Sequence, residues 1–366
     1  MSRRRMNRKF NQIYRNAKKP ENLIPLSLER DLFVIFSDHH KGDSSAADDF
    51  KKNASLYETA LSFYKEKGFK LIVLGDNEEL WENRYGKILS IYRNLIEKEI
   101  ELAITNPHQE KIRVWGNHDK EVSLPRFKRF IKKQDNIFLK NVLHREGLCL
   151  GEDIFLVHGH QGRFFDDVAW RISRWAVQFL WKSIQRLFNI GIDGPSENID
   201  IREDLELNYY QWAKQKKLML VCGHTHRAIF GSLTHLDQHQ IEMRHMEKIM
   251  EQSPHDRKEK IEKEIEKIKA EKEEILVRRG GRPPKSFEKS SETPVPCYFN
   301  DGCCCYTNGI TCIEIDKGTI RLVKWQRQDA QREIFAEGAI PQILASIKES
   351  RPIDCALKAK EKRILP

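Results

Sequence analysis

Five short clusters of histidine, aspartate and asparagine carry the side chains of this sequence that are best suited to chemistry. The clusters are Asp38-His-His40, Gly75-Asp-Asn-Glu-Glu79, Gly116-Asn-His-Asp119, His158-Gly-His160 and Gly223-His-Thr-His226. Carboxylate, imidazole and amide donors suit divalent metals such as Mn²⁺, Fe²⁺ or Zn²⁺. No cysteine joins them, which argues against a structural zinc finger. A carboxylate shared by two groups of ligands would bridge two metals, and such a pair suits in-line displacement at phosphorus.

Each cluster follows directly after a short apolar run. These runs predict β-strands at residues 31–36, 70–74, 111–115, 154–157 and 218–222. Helical segments expected near 48–67 and 89–105 separate the first three strands. This order predicts a layered α/β core, in which the loops after the strands gather at one sheet edge and build the site. A single histidine of this kind is usually structural, but the ordered set predicts convergence.

The five clusters in this order resemble the signature of the calcineurin-like metallophosphoesterase superfamily, over about residues 32–235 and the later strands. The resemblance implies a β-sandwich flanked by helices. It also implies a hydrolase that cleaves a phosphoester or phosphoanhydride by attack of a metal-bound hydroxide. Two divalent ions would be required, with Mn²⁺ expected and Fe²⁺ or Zn²⁺ as alternatives.

Carried over by position, the resemblance implies roles for nine residues. The first metal would be held by Asp38, His40 and His226. The second metal would be held by Asn117, His158 and His224, and Asp76 would bridge the two ions. His118 would protonate or stabilise the leaving oxygen, and Asp119 would orient His118.

A narrower resemblance concerns the substrate. Gly75-Asp-Asn-Glu-Glu-Leu-Trp81 is similar to the G-D-x-F-E-x-W motif of bacterial UDP-2,3-diacylglucosamine diphosphatases. It implies a nucleotide diphosphate-lipid substrate such as UDP-diacylglucosamine. It further implies a helical lid at residues 164–215 and peripheral contact with an anionic membrane. The chain departs from that group at His118 and His160, where the group has arginine and aspartate. The apolar residues of 164–215 also fit a simpler interpretation, as the core of inserted helices.

The remaining segments predict the domain organisation. Residues 1–29 form a basic arm, interpreted either as a solvated tail or as a docking arm, and the core covers 30–235. Residues 236–293 are highly charged, and Ile261, Ile265, Ile268 and Ile275 recur at heptad-like steps, which predicts a helical hairpin insertion. Closing strands are expected over 294–328, with a β-hairpin turn at 316–318. A C-terminal tail is expected over 329–366.

Composition limits the partners and the compartment. The net charge of +10 favours anionic partners. The sequence lacks a signal peptide and an apolar span, and its eight cysteines are expected to be reduced, which predicts a cytoplasmic protein. Cys303, Cys304 and Cys305 are expected at buried strand positions. Two other functions remain open: a nuclease or cyclic-nucleotide phosphodiesterase, and a non-catalytic scaffold that binds partners through the charged hairpin.

Overall fold

A computed structural model of the chain describes residues 3–133, 137–161, 196–234 and 293–351 and, with short gaps, 236–288. Its strands are β1 (Leu32–Phe36), β2 (Lys70–Val73), β3 (Lys111–Val114), β4 (Val142–Arg145), β5 (Gly147–Leu150), β6 (Ile154–Val157), β7 (Met219–Cys222), β8 (Tyr298–Asn300), β9 (Gly309–Asp316), β10 (Thr319–Gln326) and β11 (Arg332–Ala339). Its helices are α1 (Arg3–Ala17), α2 (Ala54–Glu66), α3 (Tyr85–Leu102), α4 (Pro125–Lys133), α5 (Ile137–Lys140), α6 (Ser196–Lys216), α7 (His255–Arg278) and α8 (Ile340–Glu349).

Two main sheets form the core. One has five strands in the order β11-β10-β9-β1-β2, and the other has four strands in the order β5-β6-β7-β8. The short pair β3-β4 joins the first sheet through a bridge between Leu74 and Val114. Strands β1 and β2 are parallel, as are β6 and β7, whereas β9 runs antiparallel to β1. The predicted layered α/β class is confirmed.

The predicted clusters begin where buried strands end. Strands β1, β2, β3, β6 and β7 end at residues 36, 73, 114, 157 and 222, within three residues of the first donor of a cluster. The strands themselves are anchored by apolar side chains, of which Ile35, Val157 and Val221 have no exposed area. This burial fixes the strand ends, and therefore the loops that follow them.

The basic N-terminal segment is a packed helix along much of its length, which corrects its interpretation as a solvated tail. Helix α1 buries Met6, Phe10 and Ile13 at intervals of three to four residues, so one face of the helix belongs to the core. The ring of Phe10 stacks on Tyr209 at 5.6 Å and meets Trp212 edge-on at 5.3 Å. The opposite face of α1 carries the positive charge.

The expected lid at 164–215 is only partly described, because residues 164–195 lie outside the described part of the chain. Its later portion belongs to α6, whose Tyr209 and Trp212 are at most 1% exposed. Helix α6 connects the parallel strands β6 and β7 and packs against the sheet. This portion is therefore a crossover helix of the core rather than a lid.

The charged helix α7 and the closing β-hairpin can be compared with their predictions. In α7, Ile261, Ile265 and Ile268 are buried against Met246, while Ile275 is only partly buried; the hairpin itself remains a prediction. Strands β9 and β10 pair in antiparallel fashion across the turn expected at 316–318.

The expected C-terminal tail instead supplies β11 to the five-stranded sheet, followed by α8. Residues 352–366 lie outside the description. Cys303, Cys304 and Cys305 are buried as expected but lie in a loop rather than in a strand. The seven cysteines of the described residues are free thiols. No helix among the described residues is long and apolar enough to cross a membrane.

We expect Phe10→Ala to lower the free energy of unfolding by about 3–5 kcal/mol, because it removes a fully buried ring and leaves a cavity against α6. Chemical denaturation followed by circular dichroism measures the change. Gln12→Ala, at an exposed position of the same helix, should alter stability by less than about 0.5 kcal/mol. Equal stability of the Phe10 variant and the parent would contradict the packing of α1.

Candidate metal centre

The first group of donors consists of Asp38, His40 and His226. One ligand atom from each of these residues lies within 4.8 Å of the other two. The Nε2 atom of His226 is 3.1 Å from Asp38 Oδ1 and 3.3 Å from Nε2 of His40. The three side chains come from loops after β1 and β7, which belong to different sheets. The group therefore spans the junction between the two sheets.

The second group consists of Asp76, His158 and His224, with the same mutual spacing of ligand atoms. His158 Nε2 is 3.0 Å from Asp76 Oδ2, and His158 Nδ1 is 2.9 Å from the carbonyl oxygen of Leu74. That carbonyl accepts the Nδ1 proton, which leaves Nε2 free to act as a ligand. Asp76 Oδ2 also lies 3.9 Å from His40 Nε2, so Asp76 stands between the two groups.

The backbone of these loops is strained. Five of the predicted ligands adopt positive φ angles, and twelve non-glycine residues do so in the described part of the chain. These ligands are Asp38 (52°), His40 (50°), Asp76 (49°), His224 (66°) and His226 (58°). Left-handed geometry costs a non-glycine residue on the order of 1–3 kcal/mol and concentrates at functional sites. The packing of the sheets therefore sustains a conformation that these residues would not choose locally.

Two glycines allow the loops to approach one another. A Cβ atom on Gly116 would collide with the Asp76 carboxylate, and one on Gly223 would collide with Ser37 and Asp38. Both glycines precede donor residues in the predicted clusters. Their role here is close approach of backbone to a carboxylate, which no side chain would permit.

The electrostatics of the two groups are dominated by the buried carboxylates. Burial would raise the pKa of Asp38, but His226 and His158 outweigh burial and hold it well below its ordinary value. The pKa of Asp76 is also lowered, against burial, by His158 and His118. Burial would lower the pKa of His158 and His226, yet Asp76 and Asp38 raise them to about 9 and about 10. Without a metal, protonated histidines neutralise the carboxylates.

His118 stands at the edge of the first group, between Glu79 and Trp81. Its Nδ1 atom is 2.7 Å from Glu79 Oε2, and the same oxygen is 2.9 Å from His40 Nδ1. The indole of Trp81 stacks on the His118 ring with centroids 4.1 Å apart, and its N–H donates to the carbonyl of Asn117 at 2.8 Å. Glu79 therefore contacts both a predicted metal ligand and the predicted acid.

The hydrogen bonds of Asp119 go to the backbone, and its predicted role in orienting His118 stays a prediction. Its carboxylate accepts hydrogen bonds from the backbone N–H groups of Gly116 at 2.6 Å and Asn77 at 2.9 Å. Asp119 thus ties the loop after β3 to the loop after β2, while Glu79 lies against His118. Glu79 belongs to one of the predicted clusters. Only the folded geometry shows that Glu79 contacts the His118 ring, whereas Asp119 contacts the backbone.

Ser37 and Asp301 also belong to the site and were not predicted. The Ser37 hydroxyl contacts Asp38 Oδ2 and donates to Asp301 Oδ1 at 2.8 Å. Burial and the neighbouring Asp38 raise the pKa of Asp301 well above its ordinary value. Asp301 lies 263 positions after Asp38 in the chain, and no local pattern marks it. The loop that brings it here is the one with the three adjacent cysteines.

The donors fit a pair of divalent cations. Asn117 Oδ1 is buried and makes no hydrogen bond within the described chain. Asp38 Oδ1 and His158 Nε2 are also buried, and each contacts another member of the donor groups, His226 Nε2 at 3.1 Å and Asp76 Oδ2 at 3.0 Å. Burying the Asn117 oxygen unsatisfied is costly, and a cation would satisfy it together with Asp38 Oδ1 and His158 Nε2. Oxygen and imidazole donors are those preferred by Mn²⁺, Fe²⁺ and Zn²⁺. Six of the seven predicted metal ligands thus form two groups, and the seventh, Asn117, has a buried oxygen without a partner.

Comparison with known proteins agrees with this geometry. The family model of calcineurin-like phosphoesterases matches residues 32–228, more than half of the chain. The chain belongs to the calcineurin-like phosphoesterase family. This phosphoesterase is therefore a metal-dependent hydrolase of phosphorylated substrates, as its family is. A search of curated proteins returns no match.

We expect the metal-free phosphoesterase to lose thermal stability as the pH rises from about 6.5 to about 10. The pKa values of His158 and His226 are raised on folding, so their stabilising charge is complete below the unfolded pKa. That charge disappears as the pH passes through about 9 and about 10.

Melting temperatures in the presence of chelator, at constant ionic strength, measure this effect. The matched control is the same series at saturating Mn²⁺, where the ion replaces the protons and the decrease should vanish. A chelated sample whose melting temperature stays constant over this range would contradict the assignment of these charges.

Proposed function

We propose that the phosphoesterase uses a dinuclear centre held by seven side chains. Asp38, His40 and His226 would bind one ion; Asn117, His158 and His224 would bind the other; Asp76 would bridge them. The observation that carries the proposal is the convergence of two donor groups around Asp76, together with the buried oxygen of Asn117, which no group of the described chain satisfies. A non-catalytic scaffold would not require such a complete set.

Two bound ions would supply positive charge that polarises the phosphoryl group and lowers the pKa of a water molecule. The protein's own contribution to bond cleavage is His118. Glu79 faces its Nδ1 atom and favours a proton there, so the doubly protonated ring can pass its Nε2 proton to the leaving oxygen as the P–O bond breaks and keep the Nδ1 proton. Burial would lower the pKa of His118, but Glu79 and Asp76 raise it. The indole of Trp81 stacks on the His118 ring and holds it in place.

We expect Asp76→Ala to lose metal, because the carboxylate between the two donor groups is removed. His118→Ala should retain both ions and lose turnover by roughly 10²–10⁴-fold, the usual contribution of a general acid. Elemental analysis of both variants alongside kinetics on a generic phosphate ester separates these effects. Full turnover by the His118 variant would refute its role, and stoichiometric metal in the Asp76 variant would refute the bridge.

For the substrate, we propose first a nucleotide diphosphate-lipid such as UDP-diacylglucosamine. Support comes from Trp81, the residue that distinguishes the narrower motif and that contacts both His118 and the Asn117 carbonyl. Peripheral contact with an anionic membrane would accompany this substrate. The second proposal is a nuclease or cyclic-nucleotide phosphodiesterase, which the exposed cations of α1 and α4 favour.

A Mn²⁺-dependent screen distinguishes these substrates. With the lipid proposal, kcat/KM for a UDP-lipid should exceed that for bis-p-nitrophenyl phosphate, cyclic nucleotides and duplex DNA. The Asp76→Ala variant provides the background rate. Turnover of nucleic acid or cyclic nucleotide above the UDP-lipid would reject the first proposal in favour of the second.

A further inference from the structure

The outward face of α1 carries a stripe of cations. It is formed by Arg4, Arg8 and Arg15, which are exposed and lie opposite the buried face of the helix, and it is continued by the exposed Lys19, two residues after the helix ends. At 1.5 Å per residue, the helical part from Arg4 to Arg15 extends over about 16 Å. None of the four forms an ion pair within the described chain, so their charge is available to a partner.

A groove beside this stripe continues the positive surface. It has a volume of about 530 Å³ and is lined by the last turns of α1, including Arg15, by Lys19 beyond the helix, and by residues 143–147. Arg145 lies in its wall. His144, also in the wall, meets Phe127 of α4 edge-on at 5.8 Å, which places α4 next to the groove.

Helix α4 supplies a second group of cations. Its buried face consists of Phe127 and Ile131, and its exposed face carries Lys128, Arg129, Lys132 and Lys133. These four also form no ion pair within the described residues. We call the exposed cations of α1 and α4, with the groove between α1 and β4, the basic surface.

Acidic residues near the basic surface are few and mostly engaged. Glu152 lies 3.7 Å from Lys18, and Glu121 lies 2.9 Å from Arg126. Glu146 lines the groove and interacts with another group of the chain. The negative charges of Glu110 and Glu21 stabilise the charged form of Arg145. These acidic residues leave uncompensated the eight exposed cations named above, which are Arg4, Arg8, Arg15, Lys19, Lys128, Arg129, Lys132 and Lys133. A uniform field of this kind attracts polyanions.

We propose that the basic surface binds the phosphate backbone of double-stranded nucleic acid. A duplex presents one negative charge per about 1.7 Å of axis, so several phosphates face a run of about 16 Å. Spaced arginines and lysines on two helices beside a groove can contact them without reading the sequence. This binding goes beyond hydrolysis and does not depend on which phosphate ester the metal centre cleaves.

Two features favour a duplex over other polyanions. The large exposed apolar side chains of the described chain are Ile201, Val277 and Tyr306, none of which lies on the basic surface. The apolar face of α1 is itself buried in the core, so the helix offers a bilayer no side chains for insertion. The basic surface also lacks an exposed aromatic platform within the described residues, as single strands prefer for base stacking.

The test uses the full-length chain with chelator, so that no hydrolysis occurs, and a labelled 20-base-pair DNA duplex. Fluorescence anisotropy between about 50 and 200 mM KCl gives the slope of log affinity against log salt. We expect the triple variant Arg8→Gln, Arg15→Gln and Lys19→Gln to reduce that slope by about 3, one unit per phosphate contact. The triple variant Lys128→Gln, Arg129→Gln and Lys132→Gln should produce a similar reduction.

The matched control removes three positive charges outside the basic surface, through Lys67→Gln, Lys70→Gln and Lys317→Gln, which are all exposed. Circular dichroism checks that all variants fold. An unchanged slope in the control supports the basic surface, and an equal reduction would overturn it. Absence of duplex binding, or triple variants that lose binding to phosphatidylglycerol vesicles but not to the duplex, would also overturn it. Because metal is absent throughout, failure here leaves the proposed hydrolase unaffected.

Discussion

The structure depends on the burial of two carboxylates, Asp38 and Asp76, where the sheets meet. Each has at most 1% of its surface exposed, so each must be neutralised by neighbouring positive charge. In the metal-free chain, histidines with raised pKa values provide that charge, and divalent ions would replace their protons. The same constraint explains why the donors converge so tightly. Stability and metal binding are therefore two consequences of one arrangement, coupled through the protons that the ions displace.

The loops around these carboxylates are held from several directions. Asp119 accepts backbone hydrogen bonds from two of them, and Tyr209 of α6 donates to the carbonyl of Gly159 at 2.5 Å. Arg227, next to His226, contacts Glu203 and Glu206 of the same helix. Such contacts oppose the strain of the left-handed ligand residues. Helix α6 thus supports two loops of the metal centre at once, and it directly follows a segment that lies outside the described residues.

The charged groups lie in two regions, one suited to metal binding and the other to contact with a partner. The acidic and imidazole donors lie in the interior, while the unpaired cations of α1 and α4 lie on the surface. Helix α4 begins six residues after Asp119, so along the chain the basic surface adjoins the loop that carries His118. Long-range attraction at this surface would concentrate phosphorylated partners near the loop. The family defines the reaction class. The positive charge of the basic surface influences which phosphorylated partners reach the metal centre.

The sequence by itself determined the five strands that precede the donor clusters, the clusters themselves and the family, because strand periodicity and short motifs are local properties of the chain. It predicted Asp38, His40, Asp76, His158, His224 and His226 as ligands, and these six lie in the two donor groups. Only the tertiary structure decided that Glu79, rather than Asp119, contacts His118. Both are acidic residues of the predicted clusters, and the fold determines which carboxylate faces the His118 ring. It also decided that α1 packs against α6, that β11 extends the five-stranded sheet and that Asp301 contacts Ser37 in the metal centre. Those outcomes depend on contacts between residues far apart in the chain, which local patterns do not encode.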